Sequence, residues 1–130
     1  MQAQPRVCIF SPAQSTMEPI PYFYDHINRY AIVVKPKQPL LTWINALYPD
    51  MPEDGKETTI YLVKEREGDG STEKWVKKNF SDIFENELND RHTDEEDWPQ
   101  NRTYKLFTEW FATEIHTTVL DMEESPIKKY

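Results

Sequence analysis

The stretch Tyr30-Ala31-Ile32-Val33-Val34-Lys35-Pro36, followed at once by Pro39-Leu40-Leu41-Thr42-Trp43-Ile44-Asn45-Ala46-Leu47-Tyr48, sets the architecture. The first run is β-branched and almost continuously apolar, as a strand buried on both faces would be. Pro36 ends it, because proline brings no amide to a ladder. In the second run Leu40, Trp43, Ile44 and Leu47 recur at spacings of three and four. They share one face of a short amphipathic helix that starts near Pro39 and is closed by Pro49 and Pro52. From Glu57 to Lys64, Ile60 and Leu62 alternate with Thr59, Tyr61 and Val63, which predicts a second strand before Gly68, Asp69 and Gly70 break the pattern. The link between the strands contains a helix and is long enough for a right-handed parallel crossover, with a mixed sheet as the alternative.

Two long amphipathic helices are expected beyond that point. The first, over about 72–89 and capped by Gly70 or Ser71, places Val76, Phe80, Ile83, Phe84 and Leu88 on one stripe. The second, over about 102–122 with Asn101 as N-cap, has the stripe Phe107, Trp110, Phe111, Ile115, Val119 and Met122. Both stripes need a surface to cover, and the sheet with the short helix supplies it. The expected fold is therefore α+β (mixed α/β): a small two- to three-stranded sheet packed against two long helices, with the short helix between the two main strands. Residues 1–130 read as a single domain. Within it, residues 1–28 carry Pro5, Pro12, Pro19 and Pro21 around one apolar run, Val7 to Phe10, and form a proline-rich arm or an edge segment with a candidate extra strand.

Composition excludes several function classes. A chain of 130 residues that is 38% apolar and 13% aromatic can bury one core and is not disordered as a whole. No run of 18 apolar residues or basic-then-apolar start is present, so neither a membrane span nor a secretory signal is expected. A single cysteine, Cys8, gives no internal disulfide and no thiolate zinc site. The net charge of −8 argues against gripping nucleic-acid phosphate, and residues 57–130, with ten basic and eighteen acidic side chains, hold the whole imbalance.

A few residues break the pattern. Glu87 and Glu114 each fall inside the apolar stripe of a predicted helix, where a carboxylate would be partly desolvated. Two such groups brought together would push their pKa values apart and make an acid-base pair. The plainer account is that each pairs with Lys35, Arg29 or Lys77 as a structural ion pair. His26, His92 and His116 do not recur at the spacing of a helical metal site, so no metal is expected. Glu65, Glu67, Asp69 and Gly70 imitate the opening of a calcium loop, but its twelfth position is Val76 where a glutamate is required. The adjacent turn offers amides to an anion, yet its own carboxylates oppose one. Cys8 and Ser11 lack a nucleophile elbow. No cofactor motif is found.

The acidic run His92-Thr93-Asp94-Glu95-Glu96-Asp97 ends at Trp98, and acidic residues beside an aromatic can receive a basic partner. Trp75 projects away from the stripe of its helix beside Lys74, Lys77 and Lys78, as an interface anchor would, unless the N-terminal arm covers it.

The segments Asp25 to Pro39 and Trp98-Pro99-Gln100-Asn101-Arg102-Thr103 resemble parts of small uncharacterised bacterial proteins. The resemblance implies a bacterial cytoplasmic protein and brings no activity with it. The expected function is a non-enzymatic acidic protein-protein interaction domain, with Trp75, Trp98, Asp94, Glu95, Glu96 and Asp97 as contacts and a homodimer through exposed aromatics as one form of partnering. The alternative is a small metal-independent enzyme or ligand-binding protein with an aromatic pocket and a Glu87/Glu114 carboxylate pair.

Overall fold

A computed structural model describes residues 25–130. The Val7 to Phe10 run, Cys8, Ser11 and most of the proposed arm lie outside the described residues. The elements in chain order are β1 (Asp25–His26), β2 (Arg29–Pro36), α1 (Gln38–Leu47), β3 (Thr59–Lys64), α2 (Ser71–Arg91), a 3-10 turn (Glu95–Asp97), α3 (Tyr104–Trp110), β4 (Phe111–His116) and β5 (Leu120–Asp121). The chain divides into two compact units. One is Arg29–Thr117, and the other joins the two terminal segments. In the terminal unit β1 pairs antiparallel with β5, and the Ile27 amide donates to the Val119 carbonyl at 3.0 Å.

The Arg29–Thr117 unit is a three-stranded antiparallel sheet in the order β3-β2-β4 with three helices, a mixed α+β fold. β2 is central, its amides and carbonyls meeting β3 on one side and β4 on the other. The expectation of burial on both faces is corrected: Ile32 and Val34 are fully buried on the helix-covered face, whereas Val33 on the other face is only partly buried. Ile32 pairs with Tyr61 of β3 and with Ile115 of β4, and Val34 pairs with Thr59 and Thr113. These residues and Val63 and Phe111 line the face that the helices cover. Val33, Ile60, Leu62, Glu114 and His116 lie on the other face by strand alternation.

α1 and α2 form where the 3.6-residue stripes require them. α3 differs from expectation: the second long helix lasts only seven residues, and the chain then becomes β4. The reason lies in residues 111–119. Phe111, Thr113 and Ile115 alternate as well as Phe111, Ile115 and Val119 repeat helically, and the β-branched threonines and isoleucine favour the strand. The free side of β2 decides the matter by offering a complete ladder. Thr103, not Asn101, caps α3, its hydroxyl accepting from the Leu106 amide at 3.1 Å. The β2–β3 connection also differs from the parallel crossover, since the two strands run antiparallel.

The core is aromatic. Phe84 of α2 meets Phe107 at 5.8 Å, Trp110 at 6.0 Å and Phe111 at 5.5 Å between ring centroids, above fully buried Ile32 and Val34. Lys37 ties the start of α1 to the end of α3, its amide donating to the Trp110 carbonyl at 2.8 Å and its ammonium to Thr108 O at 3.0 Å. The loop after α1 turns at Gly55, where φ is +82° and a Cβ would meet Leu41 at 3.1 Å. The positive φ favours glycine there, and a larger residue would also press on the end of the Leu41 side chain. No helix of the described residues is long and apolar enough to cross a membrane.

Candidate functional site

α1 and α2 end side by side, and the residues that cap them make the site. Tyr48 follows α1 with its amide on the Ile44 carbonyl at 3.0 Å, and His92 follows α2 with its amide on the Leu88 carbonyl at 2.8 Å. The Tyr48 hydroxyl lies 2.8 Å from His92 Nδ1, and His92 Nε2 lies 2.9 Å from Asp97 Oδ2. In the neutral ring Nε2–H donates to the Asp97 carboxylate and Nδ1 accepts from the Tyr48 hydroxyl, whereas in the protonated ring both nitrogens donate. Trp43 of α1 sets its ring edge-on to His92 at 6.1 Å between centroids.

The acidic run becomes a 3-10 turn rather than a loose loop. Asp94 accepts from the Glu96 amide at 3.0 Å, and the Asp97 and Trp98 amides close the turn on the carbonyls of Asp94 and Glu95. Trp43 Nε1 donates to the Asp97 carbonyl at 2.9 Å, and Trp98 Nε1 donates to the His92 carbonyl at 2.7 Å. Four consecutive carboxylates, Asp94 to Asp97, are exposed on a turn held at Asp97 by the Trp43 indole, with the Trp98 indole holding His92 just before it. Asp97 is paired with His92, while Glu95 and Glu96 have no ion-pair partner among the described residues.

Several expected site residues sit elsewhere. Trp98 is not a surface contact: it is 6% exposed, belongs to the core and has the Arg102 guanidinium over its ring at 5.6 Å. Its indole is needed below the turn as an anchor, so burial is its role. Trp75 is half-buried against the core with Arg66 over its ring at 5.3 Å, so it is not a free anchor either. The angle that pointed it off the helical stripe aims it at the residues preceding α2.

The Glu87/Glu114 pair does not form. Glu87 is buried on the helix-covered side of the sheet, where it receives the Tyr61 hydroxyl at 2.5 Å and Arg91 at 3.1 Å. Glu114 belongs to β4, not to a helix, and lies on the opposite face, where Lys35 at 2.7 Å and His116 at 3.2 Å hold it. The Lys35 hydrogen bond, then that from His116, lowers its pKa from the ordinary carboxylate value. Around Glu87 the charges are closed off. Arg91 also grips Glu53 through Nε at 3.0 Å, and Asn86 donates to the Tyr61 oxygen at 2.8 Å. Burial first, and then the Glu87 hydrogen bond, raises the Tyr61 pKa well above the phenol range. Burial lowers the Arg91 pKa, but the bonds to Glu87 and Glu53 outweigh it and the net shift is upward.

Among the described residues no group of three or more His, Cys, Asp or Glu side chains is arranged to hold a metal ion. His26 and His116 are exposed, and the Glu65–Gly70 segment is an open turn. Sequence reasoning missed the Tyr48–His92 contact, which joins residues 44 apart. The one local signal was that each immediately follows an apolar helical stripe. The chain matches no family model, no curated protein and no solved structure.

Proposed function

We propose that this chain is a non-enzymatic protein-interaction domain that receives a basic segment of another protein on the Asp94–Asp97 turn. The observation that carries the reading is the anchoring of that turn: Trp43 donates to its Asp97 carbonyl, Trp98 holds the His92 carbonyl just before it, and the His92 ring and the Asp94 side chain fix its two ends. A merely solvated acidic loop needs no such support. Holding carboxylates in place before a partner arrives removes the ordering cost from binding. Glu95 and Glu96, exposed and without an ion-pair partner among the described residues, are the charges offered. A cytoplasmic bacterial setting belongs to this proposal and rests on the resemblance of Asp25 to Pro39 and Trp98 to Thr103.

Fluorescence anisotropy with a lysine-rich peptide tests it. Binding at low salt that weakens steeply as salt is added, and that is lost in the Asp94→Asn, Glu95→Gln, Glu96→Gln variant, is the expected result. Equal affinity of wild type and variant would refute it.

A second, enzymatic reading rests on Tyr48. An imidazole held between a hydroxyl and a carboxylate is the arrangement that activates a nucleophile, and Tyr48 is 43% exposed. Selective labelling of Tyr48 by an aryl sulfonyl fluoride, abolished by His92→Gln, would favour it. Labelling no faster than at the exposed Tyr130 would dismiss it.

A further inference from the structure

We propose that β3 is the pairing edge for a second copy of this chain, joining two three-stranded sheets into one of six strands about a two-fold axis at Tyr61. Among the described residues β3 is hydrogen-bonded on one side only, to β2. An edge strand presents a row of unpaired amides and carbonyls, and folded proteins blunt such edges with charge, proline or a bulge. β4, the other edge, is blunted. Its outward residues include Glu114 and His116, and Glu114 is held by Lys35. β3 carries a charge only at its last residue, Lys64, and the five residues before it, Thr59-Ile60-Tyr61-Leu62-Val63, contain no charge, glycine or proline and are rich in strand-forming side chains. Ile60 and Leu62 remain 61% and 45% exposed on the face away from the helices.

The pattern of β3 is self-complementary in one register. In an antiparallel pair, directly opposed residues share a face. With Tyr61 opposite Tyr61, each Ile60 faces Leu62 of the other copy, and each Thr59 faces Val63. Four apolar side chains then form one continuous strip on the open face. Centring the axis on Leu62 instead would set Lys64 against Ile60 twice, and centring it on Ile60 would set Leu62 against Thr58. The apolar pattern therefore selects the Tyr61 register. Because the pairing is isologous, it closes at two copies and does not propagate.

Salt separates this contact from binding at the acidic turn. Each copy carries −8, so screening reduces repulsion between copies and strengthens the dimer, whereas it weakens a basic peptide on Asp94–Asp97. Light scattering and sedimentation equilibrium on the full chain should show a monomer–dimer equilibrium that shifts toward dimer as salt rises. The Ile60→Lys/Leu62→Lys and Ile60→Glu/Leu62→Glu variants should each dimerise at least about tenfold more weakly and recover dimer formation when mixed. Near-ultraviolet circular dichroism checks that both remain folded. Backbone hydrogen exchange should show protection in β3, not β4, that grows with protein concentration. A monomer at all concentrations, a dimer untouched by the lysine variant, or a dimer with unchanged β3 exchange would each overturn the proposal.

Discussion

Two tyrosine-centred polar networks hang from the last turns of α2, and they differ in one physical respect, access to water. In the first, Tyr61, Glu87, Arg91 and Glu53 satisfy one another inside the fold, with Glu87 1% exposed. In the second, Tyr48, His92 and Asp97 make comparably short bonds at the surface, where the carboxylate is about half exposed. A carboxylate on an apolar stripe thus marks a structural clamp when its whole valence is met indoors. A carboxylate on an anchored, open turn remains available to a partner. The buried network also fastens one part of the fold to another. Arg91 reaches from α2 to Glu53 and so holds the loop that follows α1, whose backbone is fixed in turn by Asn45 at 2.7 Å and 3.2 Å.

The contrast can be broken most forcefully at Arg91. Arg91→Met should destabilise the fold by about 3–5 kcal/mol in urea unfolding, because it strands a buried carboxylate. A loss below about 1 kcal/mol, the range of an exposed pair, would erase the distinction between the networks. Trp98→Ala should cost a similar ~3–5 kcal/mol, as the removal of a core indole does. An effect near zero would restore Trp98 as a surface contact.

Tyr61→Phe should cost about 1.5–3 kcal/mol, since it removes a hydrogen bond to a charged group. It should also change the pH dependence. The folded-state pKa of Tyr61 lies above the ordinary 10.0, so its contribution is fully present below pH 10.0 and is lost as pH rises beyond it. The wild type should therefore lose stability above pH 10.0 more steeply than Tyr61→Phe, and parallel alkaline unfolding curves would contradict this. His92→Gln, by contrast, should cost less than about 1 kcal/mol and yet weaken peptide binding by loosening the turn. A large stability loss with binding intact would reverse the roles assigned to the two networks.

β2, α1, β3 and α2 are legible in the sequence because each has a single dominant period, and Glu87 is legible as a carboxylate on an apolar stripe. β4 is not, since Trp110, Phe111 and Ile115 fit a helical stripe while Phe111, Thr113 and Ile115 fit a strand. Only the unfilled side of β2 decides between them, and that is a tertiary fact. Placing Glu114 on a helix follows from the same ambiguity, and with it the supposed acid-base pair. Asp94 to Asp97 and Trp98 stand out as a group, but the division of labour among them is hidden. Whether an indole beside an acidic run faces a partner or props the turn from below depends on Trp43 and His92, which reach it from other elements. Tyr48 lies too far along the chain for spacing to connect it to His92.

The most direct test of the account is a nuclear magnetic resonance titration of the labelled full chain with a lysine-rich peptide at low salt. The account predicts that amide shifts concentrate on residues 94–98 and on His92 and Tyr48, and that added salt reverses them. Shifts confined to Asp82, Glu85 and Asp90 on the exposed flank of α2, or none at all, would contradict it.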